Sequence, residues 1–334
     1  MSVLGRVGQV AGAGLPVLGV ASAGYQVVGE ARDRRRYPPP GELIDVGGRR
    51  LHLWRAGTGS PAVVVVAALS TPCLEWHPVQ QQLAQDTSVY LYDRAGLGWS
   101  EAGTWPRTAE TMADELRQLL LTAAVPAPYV LVGHSFGGII ARQFAVRSPE
   151  LLAGLVLVDS SHERQIRHLA PYTGRDQFRL WRSAARHQLT PLGIVRATTD
   201  LGLATESRRA AERVGPPGLA DVALALLRTS RYRRAVVQEL IGFVNGTAAG
   251  APPQLGQLPL TVLTAGPVGR AGWYPAWREL QCELAALSSR STHLFAEHAG
   301  HHLHREDPDF VIGAIRDTLQ RVAPGKAQHG QVGE

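Results

Sequence analysis

Ser135 stands in Gly133-His134-Ser135-Phe136-Gly137, after the apolar run Tyr129-Val130-Leu131-Val132 and before another glycine, Gly138. A G-x-S-x-G stretch between a buried strand and a helix makes a nucleophile elbow, a tight turn that lifts the serine hydroxyl above the sheet edge. Glycines flank the serine because side chains there would collide with the adjacent strand or helix. An ordinary glycine-rich turn would not require a serine at its apex. A serine hydroxyl is a weak nucleophile until a neighbouring base takes its proton. His301 is the candidate base: it follows Gly300 after the apolar stretch Leu294-Phe295-Ala296 and precedes an Asp307-Pro308 helix start. That position fits the chain order serine, acid, histidine. His298, His302 and His304 crowd the same loop, and His298 and His301 are three residues apart. Zinc sites need further ligands at suitable spacing, and none is evident, so neither a metal nor a cofactor is expected.

The third group orients the imidazole and favours one tautomer. Carboxylates that end buried strands are the candidates. Leu155-Val156-Leu157-Val158 ends in Asp159, whereas the run Leu260–Ala265 is followed by Gly-Pro-Val-Gly-Arg-Ala-Gly with no carboxylate before Glu279. Asp159 is therefore the expected acid, with a helix cap as its alternative role and Glu279 as the substitute. Acyl transfer also needs two N–H donors aimed at the developing oxyanion. By position these are the amides of Phe136, just past the nucleophile, and Leu69, in the loop Ala68-Leu69-Ser70-Thr71-Pro72. Asp93, in Asp93-Arg94-Ala95-Gly96-Leu97-Gly98-Trp99-Ser100, is read as a structural residue tying down its own turn.

These groups have to be carried by a sheet. Ala62 to Ala67 is continuously apolar, as in a strand buried on both faces of a parallel sheet. Similar runs recur at 88–92, 129–132, 155–158, 260–264 and 292–295, and Leu43–Val46 with Leu51–Trp54 reads as an opening hairpin. Thr108 to Leu121 has helical spacing with Thr108 as N-cap. Strands alternating with helices predict a doubly wound, mostly parallel α/β sheet. The long interval from Val158 to Leu260 lacks convincing strands. Helical patterns at Gln177–Arg186, Glu206–Val214 and Val222–Leu240 mark it as an inserted subdomain. The expected divisions are residues 1–41, an N-terminal hydrophobic segment and Arg/Pro-rich linker; 42–162 with 257–323, the core; 163–256, the insertion; and 324–334, a polar tail.

Of the 334 residues, 45% are hydrophobic and 19% charged, which describes a globular chain able to bury a full core. The net charge of +6 is carried by arginine, Lys326 being the sole lysine. No basic cluster interleaves with aromatic residues, so nucleic acid is not an expected partner. Two isolated cysteines, Cys73 and Cys282, make no disulfide framework. Residues 7–29 carry no charge and are followed by Arg32, Arg34, Arg35 and Arg36. They are long enough to cross a bilayer, though Pro16 and six glycines weaken the span. A membrane anchor is the preferred reading, with the rest of the protein cytoplasmic. A signal peptide cut after Ala21-Ser22-Ala23, or a disordered extension, are the alternatives. Arg164, Arg167, Arg175, Arg179, Arg182 and Arg186 give the insertion a basic start that suits anionic substrates, anionic lipid or simply water.

Over roughly residues 42–322 the chain resembles the α/β-hydrolase superfamily. The resemblance rests on Gly-His-Ser-Phe-Gly-Gly at 133–138, Asp-Arg-Ala-Gly-Leu-Gly-Trp-Ser at 93–100 and Gly300-His301 before the final helix, in that family's order. It implies a helical cap inserted after the sixth strand and a carboxylesterase-like serine hydrolase acting on a small-molecule ester, thioester or amide. Ala67-Ala68-Leu69 departs from the family's usual His-Gly or glycine-rich oxyanion loop. The charge-free N-terminus with its arginine- and proline-rich linker looks like a membrane-tethered subset. Lyases and cofactor-free peroxidases on this fold keep the same triad and are the alternatives, ahead of a non-catalytic ligand-binding protein.

Overall fold

The computed structural model describes residues 21–170, 190, 193–203, 205–246, 250–270 and 272–323. Eight strands form one sheet: β1 (Glu42–Asp45), β2 (Arg50–Ala56), β3 (Ala62–Val66), β4 (Val89–Tyr92), β5 (Tyr129–His134), β6 (Leu152–Val158), β7 (Leu260–Ala265) and β8 (Ser291–Ala296). Their order is β1-β2-β4-β3-β5-β6-β7-β8. β2 pairs antiparallel with both β1 and β4, and the remaining pairs are parallel. Strand β5, which leads into Ser135, sits between β3 and β6, in the middle of the parallel part.

The continuous apolar runs follow from two-sided burial. Val64 and Val66 of β3 face one hydrophobic cluster with Met112, Leu116, Ile140 and Phe144. Val63 and Val65 face the other, with Val79, Leu83, Ile312 and Ile315. One face is thus covered by α3 (Ala109–Thr122) and α4 (Phe136–Arg147), the other by α2 (His77–Leu83) and α11 (Pro308–Val322). Truncating a fully buried strand residue such as Leu131 to alanine would cost about 2–5 kcal/mol.

The insertion between β6 and β7 is helical among the described residues: α5 (Ile194–Asp200), α6 (Thr205–Val214), α7 (Ala220–Leu227) and α8 (Ser230–Gly246). The helix expected over Val222–Leu240 is two helices. The chain turns at Arg228-Thr229, where the Thr229 hydroxyl accepts from the Tyr232 N–H and starts a new helix. The cap packs on the core through Leu224, Leu227, Tyr232 and Ala235 against Leu74 and Leu97. The expected helix at Gln177–Arg186, with Arg175, Arg179, Arg182 and Arg186, lies outside the described residues, as does the tail 324–334.

Residues 21–36 form helix α1, lying on the cap. Asp33 pairs with Arg196 at 2.9 Å and with Arg228 at 2.9 Å, and the Gln26 amide donates to the Arg228 carbonyl. Residues 21–29 of the charge-free stretch are therefore held by protein, with Gln26 buried; residues 7–20 lie outside the described residues. No helix among the described residues is long and apolar enough to cross a membrane.

Candidate active site

The elbow is built as the glycines require. Ser135 has φ 52° and ψ −122°, a left-handed conformation strained for a residue with a Cβ. Its N–H donates to the Val158 carbonyl at 3.1 Å, pinning the turn to β6. A Cβ on Gly137 would lie 2.1 Å from the Val66 carbonyl oxygen, and one on Gly133 would lie 2.7 Å from the Gly138 Cα. Both positions exclude a side chain. α4 starts at Phe136 rather than at Gly138, so the Phe136 N–H is the helix's first and has no acceptor within it.

Three expected residues come together. Ser135 Oγ is 3.0 Å from His301 Nε2, and His301 Nδ1 is 2.6 Å from Asp159 Oδ2. His301 sits between β8 and α10 (Leu303–Glu306), in a loop fixed at two points. The Gly300 N–H donates to Glu306 at 2.7 Å, and His134 Nε2 lies 2.9 Å from the His301 carbonyl oxygen as its donor. Burial and the neighbouring His304 and His301 hold the His134 imidazole well below the ordinary histidine range, so it is neutral.

Asp159 ends β6 fully buried. Besides His301 it accepts from the Ala265 N–H at 3.0 Å, from Trp277 Nε1 at 2.9 Å and from Arg270 Nη2 at 2.8 Å. Burial alone would raise its pKa, but the His301 hydrogen bond and the Arg270 charge hold it well below the usual carboxylate range. Arg270 and Trp277 escaped the sequence reading. The signal for Arg270 was the carboxylate-free loop after β7, whose one charged residue is this arginine. That arginine pairs with the Asp159 carboxylate. Glu279, the substitute acid, lies on the outer side of α9 (Tyr274–Ala285) and reaches His168 at 3.2 Å instead.

The turn after β4 is organised by buried Asp93, which accepts from the N–H groups of Cys73 at 2.8 Å and Trp99 at 3.1 Å and meets His52 Nδ1 at 2.8 Å. Asp93 thus supports its own turn. Next to it, Arg94 and the cap residue Glu239 form a buried ion pair with Nε–Oε1 2.7 Å, beneath the loop that holds Leu69. His302 is half-exposed and stands 3.4 Å from buried Glu75, while His298 is on the surface. Among the described residues, the groupings tight enough to share an ion are His52-Cys73-Asp93 and Glu75-His302-His304. Neither contains His298 or His301. Arg164, at the start of the cap, pairs with Glu283.

A central parallel sheet with a strained serine at the end of its middle strand, and a histidine and a carboxylate at the ends of two others, defines an α/β enzyme with its site at the strands' C-terminal edge. The family model described as the alpha/beta hydrolase fold matches residues 61–263, and the chain belongs to that family of hydrolases. An AB hydrolase superfamily protein of Gibberella zeae is 26% identical over 294 residues, covering 78% of this chain and 87% of that one. A thermophilic esterase from Thermogutta terrifontis aligns with TM-score 0.60 at 20% identity, over 84% of this chain and 98% of its own. The epoxide hydrolase CorEH aligns with TM-score 0.59, also at 20% identity, over 84% and 98%. At that identity the two structures establish a shared fold.

Proposed function

We propose that the protein is a serine hydrolase that cleaves a carboxylic ester, thioester or amide of a small molecule through an acyl-enzyme. The observation that carries this reading is the unbroken relay from Ser135 Oγ through His301 to Asp159, at 3.0 and 2.6 Å. In it, Ser135 Oγ attacks the substrate carbonyl carbon as His301 Nε2 takes the hydroxyl proton. The tetrahedral oxyanion lies against the N–H groups of Phe136 and Leu69. His301 then gives its proton to the leaving group as the acyl–heteroatom bond breaks. Water, deprotonated by the same imidazole, releases the acid and restores Ser135. Asp159, kept ionised by its donors, stabilises the imidazolium in each half-reaction. Epoxide hydrolases of this fold resemble the chain in architecture but use an aspartate nucleophile, where this chain has Ser135. A fluorophosphonate probe should label the wild type and not Ser135→Ala. The same variant should lose at least ~10³-fold in hydrolysis of short p-nitrophenyl esters. Full turnover by Ser135→Ala would sink this reading, and labelling without hydrolysis of any ester would turn it toward the lyase or peroxidase alternatives.

A second reading, membrane association, is favoured by two neighbouring elements, α1 and α5. Ten large apolar side chains stand exposed among the described residues, and six of them belong to α1 (Tyr25, Val27, Val28) or to α5 and the turn after it (Ile194, Leu201, Leu203). Val28 is 68% and Leu203 74% exposed. Arg32, Arg34, Arg35 and Arg36 are beside them on α1, a combination suited to an anionic bilayer surface. Because α1 is held on the cap, association with the surface rather than a span through residues 7–29 is the form proposed. The full-length protein should co-sediment with phosphatidylglycerol vesicles and be released by salt. Protein that stays in the supernatant at low salt removes this reading.

A further inference from the structure

The departure at Ala67-Ala68-Leu69 leaves the oxyanion loop without the glycines that usually shape it, and something else must set the direction of the Leu69 N–H. The Arg94 guanidinium lies below this loop, buried, and donates from Nη1 to the Ala67 carbonyl and from Nη2 to the Ala68 carbonyl, both at 2.7 Å. A trans peptide unit is planar, with its C=O and the following N–H pointing in opposite directions. Holding the Ala68 carbonyl toward Arg94 therefore turns the Leu69 N–H away from Arg94. The same loop abuts the start of α4, the Ala67 carbonyl oxygen lying 2.6 Å from where a Gly137 Cβ would be.

Arg94 is itself fixed from the cap. Glu239, in the middle of α8 and fully buried, receives Nε on Oε1 at 2.7 Å and Nη2 on Oε2 at 2.9 Å. Its Oε2 also accepts the Ser70 N–H at 2.8 Å, and the Tyr232 hydroxyl, from the same helix, donates to the Ser70 carbonyl at 3.0 Å. Ser70 is left-handed, with φ 58°, a conformation that a serine keeps only when neighbours impose it. The loop is thus gripped on both sides of Leu69: on the Ala67 and Ala68 carbonyls by Arg94, and on both backbone groups of Ser70 by α8.

We propose that Arg94 and the cap residue Glu239 are positioning residues that aim the Leu69 N–H at the oxyanion, so that a properly seated cap helix is a condition for catalysis. This rests on the serine-hydrolase reading. A guanidinium is required because it must offer parallel donors to two successive carbonyls while its Nε edge meets a carboxylate, and an ammonium cannot do both. The arrangement also accounts for a buried carboxylate on a cap helix that touches neither Ser135 nor His301.

The test is the kinetics of Arg94→Lys, Arg94→Gln, Glu239→Gln and Tyr232→Phe, with thermal melting to show that each is folded. An aimed oxyanion donor acts in the transition state, so kcat for a p-nitrophenyl ester should fall while KM stays within about two-fold. The expected loss is ~10²-fold for Arg94→Gln, the scale of one lost oxyanion donor, and smaller for Arg94→Lys and Glu239→Gln. Affinity for an aryl boronic acid, which presents a tetrahedral anion to the same donors, should fall in parallel with kcat. A merely structural role would lower melting temperature or raise KM without moving boronate affinity relative to substrate. If Arg94→Gln does not fold, Glu239→Gln and Tyr232→Phe carry the test. Folded variants with wild-type kcat and boronate affinity overturn the assignment while leaving the hydrolase reading intact. A wild type that neither reacts with fluorophosphonate nor hydrolyses any ester removes both.

Discussion

The two sides of the site are held by different parts of the molecule. On the base side, Ser135, Asp159 and His301 all follow strands of one sheet, and Asp159 is fixed by Ala265 of β7, by Arg270 in the loop after it and by Trp277 of α9. On the oxyanion side, the Leu69 loop also leaves a strand, but its shape depends on contacts from cap helix α8. On the proposed reading, the base side shares the rigidity of the sheet, whereas the order of the oxyanion side follows the seating of the cap. Helix α1 extends this chain of contacts, because Asp33 bridges Arg196 of α5 and Arg228 at the α7–α8 turn.

The largest effect short of losing the nucleophile should come from Asp159→Asn. An amide in place of the carboxylate favours the wrong His301 tautomer, so kcat should fall ~10³-fold or more with little change in fold. Near-normal turnover would show that the base side does not work through Asp159. Asp33→Asn addresses the other side and should act on stability first. It leaves buried Arg196 and half-buried Arg228 short of a carboxylate, at a cost on the order of 3 kcal/mol to the cap. If cap and oxyanion loop are coupled, kcat should fall at temperatures where the core remains folded, read by circular dichroism alongside activity. Unchanged activity up to global melting would break the comparison.

Acid should weaken the whole molecule before it reaches the buried carboxylates. Burial lowers the pKa of His134, His162 and His304 below 6.5, that of His162 to about 4. An unfolded chain takes up protons near pH 6.5 while these folded imidazoles refuse them. Stability is therefore complete above that pH and declines as pH falls, by up to ~1.4 kcal/mol per unit for each such histidine. Asp159 and Glu75 have depressed pKa values, so their contribution is lost only at lower pH, below the ordinary carboxylate range. Urea midpoints at pH 8, 6.5 and 5 should fall in that order; a flat profile would contradict the neutral burial of these rings. The smallest effect belongs to Glu279→Gln, which should leave kcat within about two-fold, because among the described residues its carboxylate reaches surface-facing His168 rather than His301. A large loss would return the acid's role to α9.

Much of this was legible without coordinates. Runs such as Ala62–Val66 announce strands covered on both faces, and Gly133-x-Ser135-x-Gly137 admits few other backbones, because Cβ atoms at its glycines would strike Val66 and Gly138. That Asp159 rather than Glu279 meets His301 was readable because strand ends are visible in sequence and carboxylates at them are few. The limits were also physical. A turn as short as Arg228-Thr229 does not interrupt helical periodicity enough to reveal two helices. In α1, Gln26 and Asp33 interrupt an apolar and basic segment with two of the polar groups that seat it on the cap, a role that depends on arginines some two hundred positions later. The sequence by itself determined the sheet, the elbow and the placing of Asp159 and His301 at strand ends, because local sterics and strand ends encode them. Only the tertiary structure decided that Arg270 neutralises Asp159 and that Glu239 grips Arg94 and Ser70. Such ion pairs join residues far apart in the chain, and a buried charge finds its partner through how the chain folds rather than through spacing.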